Sequence, residues 1–242
     1  MTPPLFLVES LPDGERATLA GPEGHHAATV QRLRVGEEVL LGDGRGGIAT
    51  AVVTDVGRST LDLRVTAQRY EQPAVPRLVV VQGIGKGDRS ELAVQAMTEA
   101  GVDEIVPWPA TRSVVRWRGE RGERAWQRWG LTAREAAKQA RRSRLPVVSG
   151  PAPTAAVALR LAAASAGLVL EATAGDRLSQ LPLPTAGEIV LVVGPEGGVT
   201  PAEHAAFAQA GAQPVRLGGT VLRVSTAGVA ALAVLSTRLD RW

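Results

Sequence analysis

Two hydrophobic rhythms divide the chain. Up to residue 70 the apolar positions fall in short alternating or β-branched runs, namely Leu5-Phe6-Leu7-Val8, Glu38-Val39-Leu40-Leu41, residues 48–56 and Leu61-Asp62-Leu63-Arg64-Val65. Turn formers such as Gly42-Asp43-Gly44 and Gly57-Arg58-Ser59 separate them, and the pattern predicts a small antiparallel β-barrel. Gln72-Pro73-Ala74-Val75-Pro76 reads as a linker. From Leu78 onward strand-like runs alternate with helical ones, which predicts an α/β unit with a parallel sheet. Two domains are therefore expected, 1–73 and 74–242.

The clearest run in the second domain is Ile189-Val190-Leu191-Val192-Val193, too short and too β-branched for a helix, and it breaks at Gly194-Pro195-Glu196-Gly197-Gly198. A buried strand feeding a glycine loop is the reading. Thr200-Pro201-Ala202-Glu203 then supplies an N-cap hydroxyl, a proline at the first helical position and a capping-box glutamate, so a helix starts there. A second glycine-containing loop, residues 217–223, is expected beside a short strand ending in Val221-Leu222, and it runs into the alanine-rich helical segment 225–239. Glycines at strand ends let a ligand approach the backbone closely, and in open α/β sheets the ligand crevice lies outside the carboxyl ends of the strands. The pair of loops predicts a site for something small and polar. Leu168-Val169-Leu170-Glu171 is a further strand whose last residues, Leu170 and Glu171, fall on the same side.

Other stretches are less informative. Gly83-Ile84-Gly85-Lys86-Gly87-Asp88 lacks the third glycine of a dinucleotide fingerprint and the spacing and Ser/Thr of a P-loop, which weighs against an enzyme of nucleotide metabolism. Asp88 instead fits the N-cap of a helix over residues 89–100. Gly21-Pro22-Glu23-Gly24 repeats four letters of the main loop without an apolar strand before it and reads as a turn. Thr132-Ala133-Arg134-Glu135 reads as the cap of another helix, and Trp126 and Trp129, at helical spacing, as core.

Composition narrows the function. Hydrophobic residues make up 45% of the 242 and aromatics 3%, so the core is built from Val, Leu and Ala. The absence of cysteine excludes disulfides and thiolate metal sites, and three histidines without ligand spacing give no metal site. No stretch has the length of a membrane span and the N-terminus does not look like a signal peptide, so a soluble cytoplasmic protein is expected. Net charge is +3, yet residues 112–144 hold eleven basic residues against three acidic ones. Nearly all the cations are arginines, which suit phosphate contacts and base stacking. Arg141, Arg142 and Arg144 close a predicted helix, where the dipole alone would account for one of them; the three together suggest a phosphate-binding edge.

Val193-Gly194-Pro195-Glu196-Gly197-Gly198, followed by Leu217-Gly218, Val221-Leu222-Arg223 and Thr226-Ala227, resembles the RsmE family of 16S rRNA uracil-N3 methyltransferases, within the knotted SPOUT class. Lys86, Asp88, Glu91, Glu99, Gly101, Pro107, residues 111–114, the run Gln139-Ala140-Arg141-Arg142-Ser143-Arg144-Leu145-Pro146, and His26, Val30, Arg32 and Gly36 also match. The resemblance implies an N-terminal PUA-like β-barrel that helps hold RNA, a trefoil-knotted C-terminal α/β domain and a homodimer. It also implies that the two loops hold S-adenosylmethionine, through Leu170, Glu171, Gly194, Pro195, Glu196, Gly197, Gly198, Leu217, Gly218, Val221, Leu222, Ser225, Thr226 and Ala227. Ser225 stands where the family often has glutamate, so no role of that carboxylate carries over.

On this reading Arg223, held at a strand end between two glycine loops, is the expected catalytic residue, stabilising charge on the uracil carbonyls. Arg32, Arg34, Lys86, Arg89, Arg112, Arg141, Arg142 and Arg144 are expected to contact 16S rRNA of the small ribosomal subunit, although Arg32 and Arg34 suit a solvated surface pair equally well. No histidine or carboxylate of the loops stands out as a base for N3. The alternative is a non-catalytic RNA-binding or ribosome-assembly protein, which would bind RNA but no cofactor.

Overall fold

The computed structural model describes residues 2–242. The chain forms two compact units, one holding the residues up to Pro73 together with Ala137–Leu145, the other Ala74–Ala136 with Pro146–Trp242.

In the first unit, strands β1 (Leu5–Leu7), β2 (Arg16–Leu19), β3 (Glu38–Gly42), β4 (Gly47–Val56) and β5 (Leu61–Tyr70) make a five-stranded sheet ordered β1-β3-β4-β5-β2. The long strands are antiparallel, but β1 pairs with β3 in parallel. Inward positions alternate along the strands, so Phe6, Val39, Leu41, Ala49, Ala51, Val53, Leu61 and Leu63 form one buried cluster. Gly21-Pro22-Glu23-Gly24 is not a turn: it is a short helix, α1 (Gly21–His25), that continues into a π-helical turn, His26–Val30. Gly24 lets this helix sit on the sheet, since a Cβ there would lie 2.5 Å from the Leu19 carbonyl.

Residues 137–145 join this unit through their backbone. The Gly46 N–H donates to Ser143 O at 2.9 Å and the Leu145 N–H to Gly44 O at 3.0 Å, while Ser143 Oγ donates to the Glu71 carboxylate at 2.6 Å. A division at residue 73 leaves this stretch with the second unit.

The second unit carries β6 (Arg77–Gly83), β7 (Glu104–Trp108), β8 (Val147–Val148), β9 (Ala166–Leu170), β10 (Glu188–Val193) and β11 (Gln213–Val215) as a parallel sheet ordered β11-β9-β10-β6-β7-β8. Its strands are apolar on both faces, as a sheet covered on both sides requires. Leu78, Val80, Ile189, Leu191 and Val193 face one core with α2 (Arg89–Glu99), α3 (Gly119–Gln139) and α6 (Val224–Arg238). Val79, Val81, Val190 and Val192 face the other, with α4 (Thr154–Ala163) and α5 (Pro201–Gln209).

Trp129 is buried as expected, Trp117 packs edge-on against it at 5.0 Å, and Trp108 is buried against Phe207, so these rings are core rather than base-stacking platforms. Trp126 is half-buried and donates to Val148 O. Thr132 caps nothing, because α3 runs unbroken through it. Asp88 makes no side-chain cap either; Ser90 Oγ instead accepts from the Gly85 N–H at 3.0 Å and holds the loop before α2. Gly228 serves the inside of the unit: a Cβ there would lie 2.6 Å from Met97 Sδ, so it lets α6 lie close on α2.

Candidate functional site

After β8 the chain crosses to β9 and returns to lay β10 between β9 and β6, so loops from β9, β10 and β11 leave the carboxyl edge of the sheet side by side. They enclose a cavity of about 400 Å³. Its walls are residues 170–172 after β9, 193–196 with 198 and 199 after β10, residues 215–218 and 220–224 between β11 and α6, Ala227 of α6 and Arg89 of α2.

The β10 loop is shaped by what its glycines touch. A Cβ on Gly83 would sit 2.6 Å from Pro195 N, so β6 and the β10 loop close up only because residue 83 has no side chain. Gly198 has φ +74°, in the left-handed region, and its N–H closes the turn on Pro195 O at 2.8 Å. Gly197 has a different reason: a Cβ there would lie 2.9 Å from Arg112 Cβ, and Arg112 Nη1 donates to Gly197 O at 3.2 Å. Above Gly218 there is open space, with nothing within 4 Å of a built Cβ.

Two glutamates fix the loop ends. Glu203 completes the expected capping box with Thr200, accepting from the Thr200 N–H at 2.8 Å and the Thr200 hydroxyl at 2.7 Å, and its other oxygen accepts from the Thr111 N–H at 2.7 Å. Burial pushes the Glu203 carboxyl up, and the hydrogen bonds from Thr111 and Thr200 more than offset it, holding it below the ordinary glutamate range. This one buried carboxylate ties the loop after β7 to the start of α5. Glu196 Oε1 accepts from the Lys86 N–H at 3.1 Å and joins the loop after β6 to the loop after β10. On the cavity wall Glu171 is held by His204 at 3.0 Å and by Thr173 Oγ1 at 3.0 Å.

Of the residues expected at a cofactor site, Leu170, Glu171, Gly194, Pro195, Glu196, Gly198, Leu217, Gly218, Val221, Leu222 and Ala227 come together on this wall, with Arg223 among them. Three do not. Gly197 packs on Arg112, Ser225 is buried at the start of α6, and Thr226 Oγ1 donates to Arg223 O in the first helical turn. Val221-Leu222 is not the end of a strand: β11 stops at Val215, residues 217–223 form a loop, and Val221 is 83% exposed. Val199, Arg216, Thr220 and Val224 also line the cavity; their signal was only their position inside the two loops.

The expected RNA contacts scatter. Arg89 is on the cavity wall and Arg112 braces the β10 loop, while Lys86 is exposed beside Glu196. In the first unit Arg32 and Arg34 are exposed after the π-helical turn, Arg32 with φ +54°. Arg141 donates to Pro3 O and Thr2 O, and Arg144 to Glu71 O and the Tyr70 hydroxyl, so these two guanidiniums hold the first unit together. Arg142 lies between them in the turn that follows α3. Among the described residues no group of three or more His, Cys, Asp and Glu side chains is placed to hold a metal, and no helix is long and apolar enough to cross a membrane.

Comparison with known proteins covers both units. The family model of an RNA methyltransferase domain matches residues 71–236, and that of an RNA methyltransferase PUA domain matches residues 19–66. A protein of Mycobacterium tuberculosis named ribosomal RNA small subunit methyltransferase E is 45% identical over 98% of this chain and 93% of its own length. The protein of the same name from Bacillus subtilis is 27% identical over 92% of this chain and 90% of its own. Among solved structures, a ribosomal RNA small subunit methyltransferase E from Neisseria gonorrhoeae bound to S-adenosyl methionine superposes with a TM-score of 0.85 at 29% identity, covering 98% of both chains. A putative methyltransferase from Legionella pneumophila, in complex with the same cofactor, gives 0.86 at 26% identity over 98% of each chain.

Proposed function

Because the chain belongs to the ribosomal RNA small subunit methyltransferase E family, we propose that it transfers a methyl group from S-adenosylmethionine to N3 of a uridine in 16S rRNA. The observation that carries the reading is the cavity at the carboxyl ends of β9, β10 and β11, at the reversal of strand order where α/β sheets bind ligands.

The residues present fit the cofactor. A volume of about 400 Å³ is within the range for small-molecule sites. Leu170, Val193, Val215, Leu217 and Val224 offer apolar surface to an adenine, the Glu171 carboxylate can accept from a ribose hydroxyl, and the open space above Gly218 admits close approach to the backbone. When bound, the cofactor supplies a methyl group already activated on a sulfonium. The protein's share is then positioning, for which effective molarity is worth about 7–11 kcal/mol, and stabilisation of charge on the uracil as N3 gives up its proton. Arg223, on the wall and without a side-chain hydrogen bond, is the cation assigned to the uracil carbonyls.

We assign RNA holding to the first domain and methyl transfer to the second. On family grounds we extend the reading to a trefoil-knotted chain, a homodimer, a cytoplasmic location and rRNA within the small subunit as substrate. Titration calorimetry with S-adenosylmethionine and S-adenosylhomocysteine tests the cofactor assignment. One site per chain is expected for each ligand; no heat with either, in protein that binds 16S rRNA, would favour a non-catalytic RNA-binding role.

A further inference from the structure

Arg89, Arg216 and Arg223 line the cavity, and none of the three side chains makes a hydrogen bond or ion pair among the described residues. Most other arginines of the same unit are engaged, as where Arg77 and Arg160 hold Glu104 and Glu188, Arg241 holds Asp103, and Arg238 donates to Leu178 O; Arg118, Arg121 and Arg177 are also free, but they are exposed and lie off the cavity wall. Two of the three free guanidiniums also sit where the backbone opposes them. Arg89 opens α2 and Arg223 is the N-cap of α6, and a cation at a helix N-terminus is disfavoured by the helix dipole. Folding alone gives no return for that placement.

Their order across the sheet is also informative. Arg216 follows β11, Glu171 follows β9, Glu196 belongs to the loop after β10, and Arg89 lies beyond β6. Cations thus flank carboxylates, and both carboxylates already have donors, Glu171 in His204 and Thr173, and Glu196 in the Lys86 N–H. The strands that Arg216 and Arg89 follow, β11 and β6, are three places apart in the sheet, about 14 Å. S-adenosylmethionine brings a sulfonium, an ammonium and one carboxylate, a poor match for separated cations. A nucleic-acid strand brings one negative charge per nucleotide.

We propose that Arg216 and Arg89 clamp backbone phosphates on either side of the nucleotide presented to the cavity, leaving Arg223 for its base. The inference rests on the proposed function and names how that site takes its RNA. The guanidinium fork matches phosphate oxygens bidentately.

The test measures binding of an unmodified 16S rRNA transcript, with S-adenosylmethionine present, from 50 to 200 mM KCl. Arg216→Gln and Arg89→Gln are each expected to weaken binding about tenfold at low salt and to reduce the slope of log K against log salt by about 0.7–0.9. Arg216→Lys should recover the slope, and calorimetric affinity for S-adenosylmethionine should stay within about twofold in all three. Unchanged slopes in both glutamine variants would overturn the clamp. So would a loss of affinity for S-adenosylmethionine with none for 5′-methylthioadenosine, because the arginines would then hold the cofactor's carboxylate. If the wild-type protein binds no S-adenosylmethionine while the glutamine variants still lose slope, the clamp stands and the methyltransferase reading falls.

Discussion

Replacing Glu203 by glutamine exchanges one carboxylate oxygen for an NH2 group and removes an acceptor from the scaffold of the cavity. The carboxylate serves three donors, the Thr111 N–H on one oxygen and the Thr200 N–H and hydroxyl on the other. An amide has one oxygen. Its NH2 must face either Thr111 or Thr200, and keeping the oxygen on Thr200 preserves the capping box at the expense of Thr111. Glu203 is only 3% exposed, so water does not replace the lost acceptor. A buried unsatisfied N–H costs about 1–3 kcal/mol, and losing a negative charge at the start of α5 adds about 0.3–1 kcal/mol. A total near 2 kcal/mol lowers Tm by about 4–8 °C in a protein of this size. Part of the loss should appear locally, because the freed loop carries Arg112, which packs on Gly197 and donates to its carbonyl. We expect a Kd for S-adenosylmethionine raised about tenfold, equivalent to about 1.4 kcal/mol. Scanning fluorimetry and calorimetry on the same preparation read both. A melting shift under 1 °C with unchanged affinity would refute the argument that this carboxylate anchors the loop.

Glu71, Glu104 and Glu203 are all held below the ordinary glutamate range. Ser143 and Arg69 act on Glu71, and on Glu104 the partners Arg160, Ser149 and Arg77 outweigh burial. Each therefore contributes stability that is present above the unfolded pKa and lost as pH falls through the folded one. Tm should drop steeply on the acid side of that range, and Glu104→Gln should flatten the drop; an unaltered profile would count against it. Gly83→Ala and Gly218→Ala separate two uses of glycine. The first pushes a methyl to within 2.6 Å of Pro195 N and should cost about 1–3 kcal/mol of stability, whereas the second meets open space and should leave Tm in place while weakening cofactor binding. Arg223→Lys keeps the charge and loses the planar fork, so single-turnover methyl transfer should fall at least tenfold, about 1.4 kcal/mol in barrier, with cofactor affinity and Tm unchanged. A wild-type rate would remove Arg223 from the reaction.

The parallel sheet was legible because β6 and β10 are runs of buried β-branched residues, a pattern that depends on no distant partner. The capping box at Thr200 was legible because its chemistry is local. What escaped notice depends on pairing across the chain. β2 is short and buries only Leu19, and it is a strand because Arg16–Leu19 lies against β5, more than forty residues away. Val221-Leu222 has the composition of a strand, but Gln213–Val215 takes the place beside β9 and residues 217–223 lead as a loop into α6. The arginines after α3 looked like a phosphate edge because nothing in their spacing shows that Pro3, Tyr70 and Glu71 fold back to receive two of them. Arg216 was invisible for a related reason: its approach to the cavity follows from the place of β11 in the sheet.

Methyl transfer from this cavity to the rRNA base is measured most directly by single-turnover reaction with methyl-labelled S-adenosylmethionine. Small ribosomal subunits lacking the modification are the substrate, and the label is mapped by nuclease digestion and mass spectrometry. One methyl per subunit is expected, on N3 of a single uridine of 16S rRNA, with the rate reduced in Arg223→Lys. Cofactor bound at the cavity with no label reaching RNA, or label on a ribose or on another base, would contradict it.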